Sequence, residues 1–360
     1  MALVLLCAGG TGGHLFPAEA LAVVLRRRGH EVDLATDERG APFAKGFPAR
    51  QVHAIPSETV RSRSPLSMLR TGWKLSTGVL AAFAMLGRAK PAVVVGFGGY
   101  PTVPPLLAAA WRRIPTVIHE QNAVFGRANR MLATRVTRIA TGFPDVKLVE
   151  SAVRSKLVHT GNPVRPVVLE AARTPFPPIG ETLNLLVFGG SQGARVMSDI
   201  VPPAIAKLDE SLRERLAIVQ QAREEDLDRV RRAYAACDVS VELSPFFGDL
   251  PARIAAAHLV VARGGASTVA ELAVIGRPSI LVPLPGSLDQ DQAANAKALA
   301  QTGGAKVVMQ PDFTPDNLAV DLTALLGDPG GLVRGGEAAK RAGTADAAER
   351  LADLVIGLIR

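Results

Sequence analysis

Short apolar runs alternate with longer amphipathic stretches along the whole chain. LVLLCA (3 to 8), EVDLAT (31 to 36), QVHAI (51 to 55), AVVVGF (92 to 97), TVIHE (116 to 120) and RIATGF (138 to 143) are rich in β-branched residues and bounded by turn formers, so each predicts a strand. A second series follows LVHTGN (157 to 162) and the proline-rich RTPFPPIGET (173 to 182). It comprises NLLVFG (184 to 189), LAIVQ (216 to 220), VSVEL (239 to 243), LVVAR (259 to 263), SILVP (279 to 283) and AKVVM (305 to 309). The intervening stretches are long enough for helices, which predicts α/β architecture with strand–helix–strand crossovers and two parallel sheets. Pro17, the basic run Arg26 to Arg28 and Gly29 predict a helix over 17 to 28. The boundary between the two series is placed after residue 162. The amino-terminal MALVLLCAGG lacks a basic leader and runs straight into a glycine turn, so it reads as a first buried strand. The longest apolar candidate, Leu75 to Leu86, is too short to span a bilayer and contains Ser76, Thr77 and Gly78.

Paired glycines close four of these strands: GGTGG (9 to 13), GFGGYP (96 to 101), GGSQG (189 to 193) and ARGGAST (262 to 268). Gly9 and Gly189 stand at the same point of a weak internal repeat, one in each half of the chain. Glycine lets backbone N–H groups approach a ligand, and a helix N-terminus favours phosphate there. Ligands of doubly wound sheets sit outside the carboxyl ends of the strands, so two facing domains predict a cleft lined from both sides. A dinucleotide fingerprint is the rival reading. Gly10-Thr11-Gly12 matches its start, Leu15 occupies the place of its third glycine, and Asp37 mimics its ribose-binding acid.

His14, an imidazole among glycines at a strand end, is the candidate for acid/base chemistry. Glu120, Gln121 and Asn122 end another strand and suit either hydroxyl recognition or a hydrogen-bonded turn. Arg165 in TGNPVR stands where the chain crosses between domains, a position from which a guanidinium can clamp a diphosphate. Glu271 lies a few residues into the helix that GGASTVAEL begins; its carboxylate either accepts from ribose hydroxyls or complements the helix dipole. His30, His53, His159 and His258 read as structural or surface residues, and no pair has metal-ligand spacing.

Composition narrows the partners. The net charge of +8, from 41 Lys plus Arg against 33 Asp plus Glu, favours an anionic one: a phosphorylated metabolite, nucleic acid or an acidic membrane surface. Only two tyrosines occur and aromatics total 4%, which gives no stacking platform and disfavours nucleic acid. Cys7 and Cys237 build no disulfide framework and suggest a reducing compartment. The segment 61 to 90 places Leu69, Trp73, Leu80 and Phe83 among Arg61, Arg63, Arg70, Lys74, Arg88 and Lys90. An apolar face with a cationic rim suits an interfacial helix on anionic lipid; a core helix with basic ends is the alternative.

In order along the chain, GGTGGHLFPAEALA, GFGGYPTVPPLLAA, HEQNAVFGRANR, TGNPVR, GGSQGAR, ARGGASTVAEL, PSILVPLP and DQDQAANAKAL resemble the MurG family of bacterial peptidoglycan glycosyltransferases, from residue 5 to about 310. The resemblance implies a GT-B fold of two Rossmann-like parallel-sheet domains facing a cleft. The acceptor and membrane-facing domain would span 1–162 and the UDP-GlcNAc-binding domain 163–341, with a carboxyl-terminal helix in 342–360 returning to the first domain. It implies an inverting transfer of GlcNAc from UDP-GlcNAc to the MurNAc C4 hydroxyl of undecaprenyl-diphospho-MurNAc-pentapeptide (lipid I), giving lipid II. Donor contacts carry over to Thr11, Gly12, Gly13, Asn122, Arg165, Ser191, Phe247 through its backbone, Ala266, Ser267, Thr268, Val269, Glu271 and Gln292. Acceptor contacts carry over to Gly98, Gly99 and Tyr100. His14 is assigned as base, with Glu120 as its competitor or orienting partner. The chain departs from the family at Asp291-Gln292, where two adjacent glutamines are usual. No tightly bound metal is expected. Further expected partners are an anionic membrane surface, on the cytoplasmic side, and other cell-wall and division proteins. A relative acting on a soluble acceptor, a nucleotide-sugar epimerase, a non-catalytic nucleotide-sugar or nucleic-acid binding module and a dehydrogenase are the alternatives.

Overall fold

The computed structural model describes residues 1–9, 12–37, 46–55, 65–190 and 193–359, with backbone alone at 65–75 and at 288. It contains two compact units, Met1–Arg165 with Ala345–Arg360, and Pro166–Thr344. The chain therefore crosses between units after residue 165 and returns after residue 344.

The first unit contains, in chain order, β1 (Leu3–Cys7), α1 (Gly12–Arg27), β2 (Glu31–Thr36), β3 (Val52–Ala54), α2 (Pro65–Ala89), β4 (Val93–Gly96), α3 (Val103–Trp111), β5 (Thr116–Glu120), α4 (Arg127–Ala133), β6 (Arg138–Thr141) and β7 (Leu157–His159). All seven strands run parallel in the order β3-β2-β1-β4-β5-β6-β7. Side chains of β1 alternate between two cores. Val4 and Leu6 face a core shared with Leu21 and Leu25 of α1, while Leu5 and Cys7 face one shared with Val79, Leu106 and Leu132 from α2, α3 and α4. Burial on both faces explains why these strands read as continuous apolar runs. Two expectations need correction. LVHTGN does more than lead out of the first domain, since its first half adds the edge strand β7. The first helix starts at Gly12 instead of residue 17, because the glycines already adopt helical geometry, and Pro17 lies inside it.

The second unit contains α5 (Pro166–Ala171), β8 (Leu183–Phe188), α6 (Arg195–Ile205), α7 (Glu210–Arg213), β9 (Leu216–Gln221), α8 (Leu227–Ala235), β10 (Val241–Ser244), α9 (Leu250–Ala256), β11 (Leu259–Ala262), α10 (Ala266–Ile275), β12 (Ser279–Leu281), α11 (Asp291–Ala300), β13 (Ala305–Val307), α12 (Pro315–Leu326) and α13 (Pro329–Ala342). Its six parallel strands follow the order β10-β9-β8-β11-β12-β13. Leu185 and Val187 pack with Met197, Val201, Tyr234 and Leu322 in its core. Arg277, 2% exposed, donates to the carbonyls of Ala255, Ile275, Gly276, Thr174 and Pro175. That fan of hydrogen bonds ties the proline-rich segment down, and burial lowers the arginine pKa to about 10.

The last helix, α14 (Ala347–Ile356), belongs to the first unit. Leu351 and Val355 are fully buried in the α1 core, and Arg27 and Arg28 pair with Glu349 and Asp353.

Candidate functional site

In both sheets the strand order reverses beside the first strand, between β1 and β4 and between β8 and β11. In open parallel sheets such a reversal is where loops at the carboxyl ends diverge and ligands bind. The glycine turns predicted from sequence follow these four strands.

In the first unit His14 occupies the opening turn of α1 and is half-buried. Its Nδ1 donates to the Gly9 carbonyl at 3.1 Å, so the neutral ring carries its lone pair on Nε2. Gly98 and Gly99, at φ +82° and +78°, lie against that ring. A Cβ on Gly98 would come 3.5 Å from His14 Cδ2 and Nε2, and one on Gly99 would come 3.5 Å from Cε1. The left-handed backbone favours glycine at both positions, and the ring lies at ordinary contact distance from where each Cβ would stand. Gly9 is equally constrained, since a Cβ would come 2.3 Å from Pro101 Cγ. Burial holds the His14 pKa below its ordinary value; the Gly9 hydrogen bond and the charge of Asp37 oppose that shift. Asp37 is 5% exposed and follows β2, the neighbour of β1. Tyr100 begins a 3₁₀ turn directly after the glycine pair, and Thr102 Oγ1 donates to the Gly99 carbonyl at 2.8 Å. His14 and Gly98 to Tyr100 are thus brought together.

Glu120 has a different occupation. Its Oε1 accepts from the backbone and side-chain nitrogens of Asn122, at 3.0 and 3.2 Å, and its Oε2 accepts from Gly126 N and Asn129 Nδ2, both at 2.8 Å. With 1% exposure and four donors on its two oxygens, this carboxylate organises the β5–α4 loop. Burial raises its pKa and the four hydrogen bonds oppose the rise. Asn122, expected at the donor, has its side-chain nitrogen on Glu120. His119 is fully buried, bonded to the Gly161 carbonyl at 3.0 Å, and its pKa is pushed down to about 4 by desolvation. Arg165 belongs to the first unit, where its guanidinium lies 3.9 Å over the Phe16 ring and stabilises the charged form of Glu19. That cation stands at the crossover, where the sequence predicts it, and it also stacks on Phe16 of α1.

In the second unit α10 starts directly after Gly264-Gly265, and a Cβ on Gly264 would come 2.5 Å from the Gln292 carbonyl oxygen. Only a glycine admits this approach of α11 to the turn before α10, the helix that Ala266, Ser267 and Thr268 open and that contains Glu271. Glu271 is 7% exposed, whereas the Val269 side chain, 3% exposed, points into the core and leaves only its backbone to a ligand. Gln292 Oε1 accepts from Leu284 N at 3.0 Å, and Asp291 Oδ1 accepts from Gln292 N at 2.7 Å. The segment before α11 is tight, with Asp289 and Gln290 at φ +53° and +56°. Phe247 is buried under the Arg253 guanidinium, 4.3 Å from its ring.

Sequence reading missed two features of this unit. Buried Arg263 donates to the carbonyls of Val282 and Pro283 and to Gln310 Oε1, at 3.0, 3.2 and 2.8 Å. Gln221, at the end of β9, accepts from Gly189 N and donates to the Pro245 carbonyl, both at 3.0 Å. The doubled glutamine in LAIVQQ was the available signal. Gly12 and Gly13 open α1, with Gly13 exposed. Thr11 and Ser191 lie outside the described residues, as do the side chains of Leu69, Arg70, Trp73 and Lys74.

On α2, Leu80 is 70% and Phe83 38% exposed. Arg112, at the end of α3, lies 3.8 Å over the Phe83 ring and donates to the Phe83 carbonyl at 3.0 Å. Its neighbour Trp111 is 65% exposed. Neither residue was expected in this patch, because the helix packing that brings α3 to α2 is not local. Among the described residues no helix is long and apolar enough to cross a membrane, and no three His, Cys, Asp or Glu side chains gather to hold a metal ion.

Residues 4–141 match the glycosyltransferase family 28 N-terminal domain, and residues 184–351 match the family 28 C-terminal domain. A protein of Rhodopseudomonas palustris (strain ATCC BAA-98 / CGA009) is 59% identical over 355 residues, covering 98% of this chain and 97% of its own. One of Methylobacterium sp. (strain 4-46) is 60% identical over 357 residues, covering 98% and 96%. Each is named UDP-N-acetylglucosamine--N-acetylmuramyl-(pentapeptide) pyrophosphoryl-undecaprenol N-acetylglucosamine transferase. The crystal structure of Acinetobacter baumannii MurG superposes with a TM-score of 0.80 at 28% identity, covering 99% of this chain and all of that one.

Proposed function

Since the chain belongs to glycosyltransferase family 28 and, within it, to the MurG transferases, we propose that its reaction is theirs: it moves GlcNAc from UDP-GlcNAc to undecaprenyl-diphospho-MurNAc-pentapeptide, giving lipid II. The near-complete coverage at 59% identity is the observation that carries this reading.

Its chemistry is a single displacement. The acceptor C4 oxygen attacks the anomeric carbon from the face opposite the α-linked diphosphate, the bond to UDP breaks, and UDP leaves with the electron pair. We assign the acceptor's proton to His14 Nε2. Donation from Nδ1 to Gly9 holds the ring in the required tautomer, and the depressed pKa keeps it neutral at physiological pH. Once protonated, the ring is stabilised by the Gly9 carbonyl and the Asp37 charge. The bare backbone of Gly98 and Gly99 leaves room beside the imidazole for a sugar. In the second unit Glu271 takes the ribose hydroxyls, the Phe247 backbone the base, the glycine turn at Gly189 the diphosphate and Gln292 the GlcNAc hydroxyls. Transfer of radiolabelled GlcNAc from UDP-GlcNAc to a lipid I analogue tests the reaction. Incorporation is expected, and it is expected to persist in EDTA because the proposed donor contacts require no metal; no transfer to any lipid-linked acceptor refutes the assignment.

We also propose peripheral contact with anionic lipid on the cytoplasmic side, supported by the exposed Leu80, Phe83 and Trp111 beside Arg112. Sedimentation with acidic vesicles is expected at low salt and to weaken at high salt. Absence of binding at both removes the idea.

A further inference from the structure

Strand β9 lies between β8 and β10 in the second sheet, so its last residue stands between the two loops that leave those neighbours. One loop is the glycine turn Gly189–Gly193; the other runs from Ser244 to Asp249. Gln221 is 5% exposed, and its carboxamide bridges the two, taking the N–H of Gly189 on Oε1 and giving an Nε2 hydrogen to the Pro245 carbonyl. An amide meets both needs because it offers an acceptor and a donor at one carbon, and no apolar or acidic side chain of that size does.

The described residues of both loops are held by contacts near the bridge. A Cβ on Gly189 would come 2.2 Å from Ala194 N, Gly190 and Gly193 are left-handed at φ +90° and +65°, and Gly193 N donates to the Gly190 carbonyl at 3.0 Å. Across the bridge, Ser244 Oγ donates to the Phe246 carbonyl at 2.7 Å, Ala222 N donates to the Ser244 carbonyl at 3.1 Å, and Phe247 is fixed beneath Arg253. The Gln221 carboxamide joins the two loops between Gly189 and Pro245.

We infer that Gln221 is a positioning residue that fixes the spacing between the diphosphate turn at Gly189 and the nucleobase loop at Phe247, and thereby the reach of the site for a nucleoside diphosphate. This rests on the donor reading of the second unit. Gln221 touches neither substrate; it acts through the two backbones it holds.

The test compares Gln221→Met with Gln220→Met in the full-length enzyme. Gln220 is the buried neighbour that accepts from Tyr234 Oη at 2.5 Å and serves the core alone. Gln221→Met is expected to raise the KM for UDP-GlcNAc about tenfold while kcat and the acceptor KM stay within twofold. UDP affinity should fall more than uridine affinity, because only UDP spans both loops. Gln220→Met is expected to lower Tm and leave the donor KM unchanged. Wild-type donor KM in Gln221→Met, or an equal loss for uridine and UDP, overturns the inference. Should Gln221→Met fail to fold, Gln221→Glu carries the test: it keeps an oxygen for Gly189 N–H but opposes the Pro245 carbonyl, and a donor KM within twofold of wild type overturns the inference. If wild-type protein binds no UDP at all, the donor reading itself fails, an outcome distinct from any of these.

Discussion

The two units share a strand order about their first strand, yet their first turns are closed by unlike means. In the first unit residues 8–11 separate β1 from α1, and a side chain of the helix itself, His14, reaches back to the Gly9 carbonyl. In the second, residues 189–194 separate β8 from α6, and the brace comes from the neighbouring strand as the Gln221 carboxamide. One closure contains an imidazole, whose pKa burial lowers; the other contains a carboxamide, which never titrates. On the proposed reading, the shared strand order sets where each substrate group binds, while the side chain that meets the turn decides between chemistry and grip.

Four substitutions sharpen or break this division. The largest effect is expected from His14→Ala, which should lower kcat about 10²- to 10⁴-fold and leave UDP affinity within twofold; near-normal turnover with donor binding intact would sink the base assignment. Next, Glu271→Ala should raise the donor KM about 10- to 100-fold, from the loss of charge-assisted hydrogen bonds, and spare the acceptor KM. Steady-state kinetics with each substrate varied decides both. Glu120→Gln sets an amide NH₂ among donors and should lower unfolding stability by about 1–3 kcal/mol in urea, while the shape of the pH–rate profile survives. Loss of kcat at unchanged stability would instead return Glu120 to the chemistry.

The smallest effect is a displacement of the pH profile. The base works when neutral, so kcat/KM declines as pH falls through the His14 pKa, which lies below its ordinary value of 6.5. Asp37 favours the protonated ring, so Asp37→Asn should lower that pKa further and move the acid limb to lower pH. Movement to higher pH would contradict the proposed pairing.

Much of this was legible in the chain. TVIHE is a strand over its full predicted length, and EVDLAT likewise, because burial on both faces leaves an unmistakable apolar run. The start of α1 was misjudged, since glycines were read as ending regular structure whereas Gly12 and Gly13 supply its first turn. The partners of Glu120 at Gly126 and Asn129 come from the following loop and helix, a convergence that no strand pattern reveals. Arg165 stands at the crossover as its place in the sequence predicts, whereas its ring partner, Phe16, lies far away along the chain and leaves no local signal.

The return of α14 to the first unit has a consequence for biogenesis. Residues 1–165 lack the helix that covers Leu21 and Leu25 until residues 347–356 have been synthesised, so the first unit to be translated is the last to be completed. Unit two can mature on the ribosome as an uninterrupted segment. A chain released before its final helix would present the apolar flank of α1 to solvent and become a substrate for chaperones or proteases.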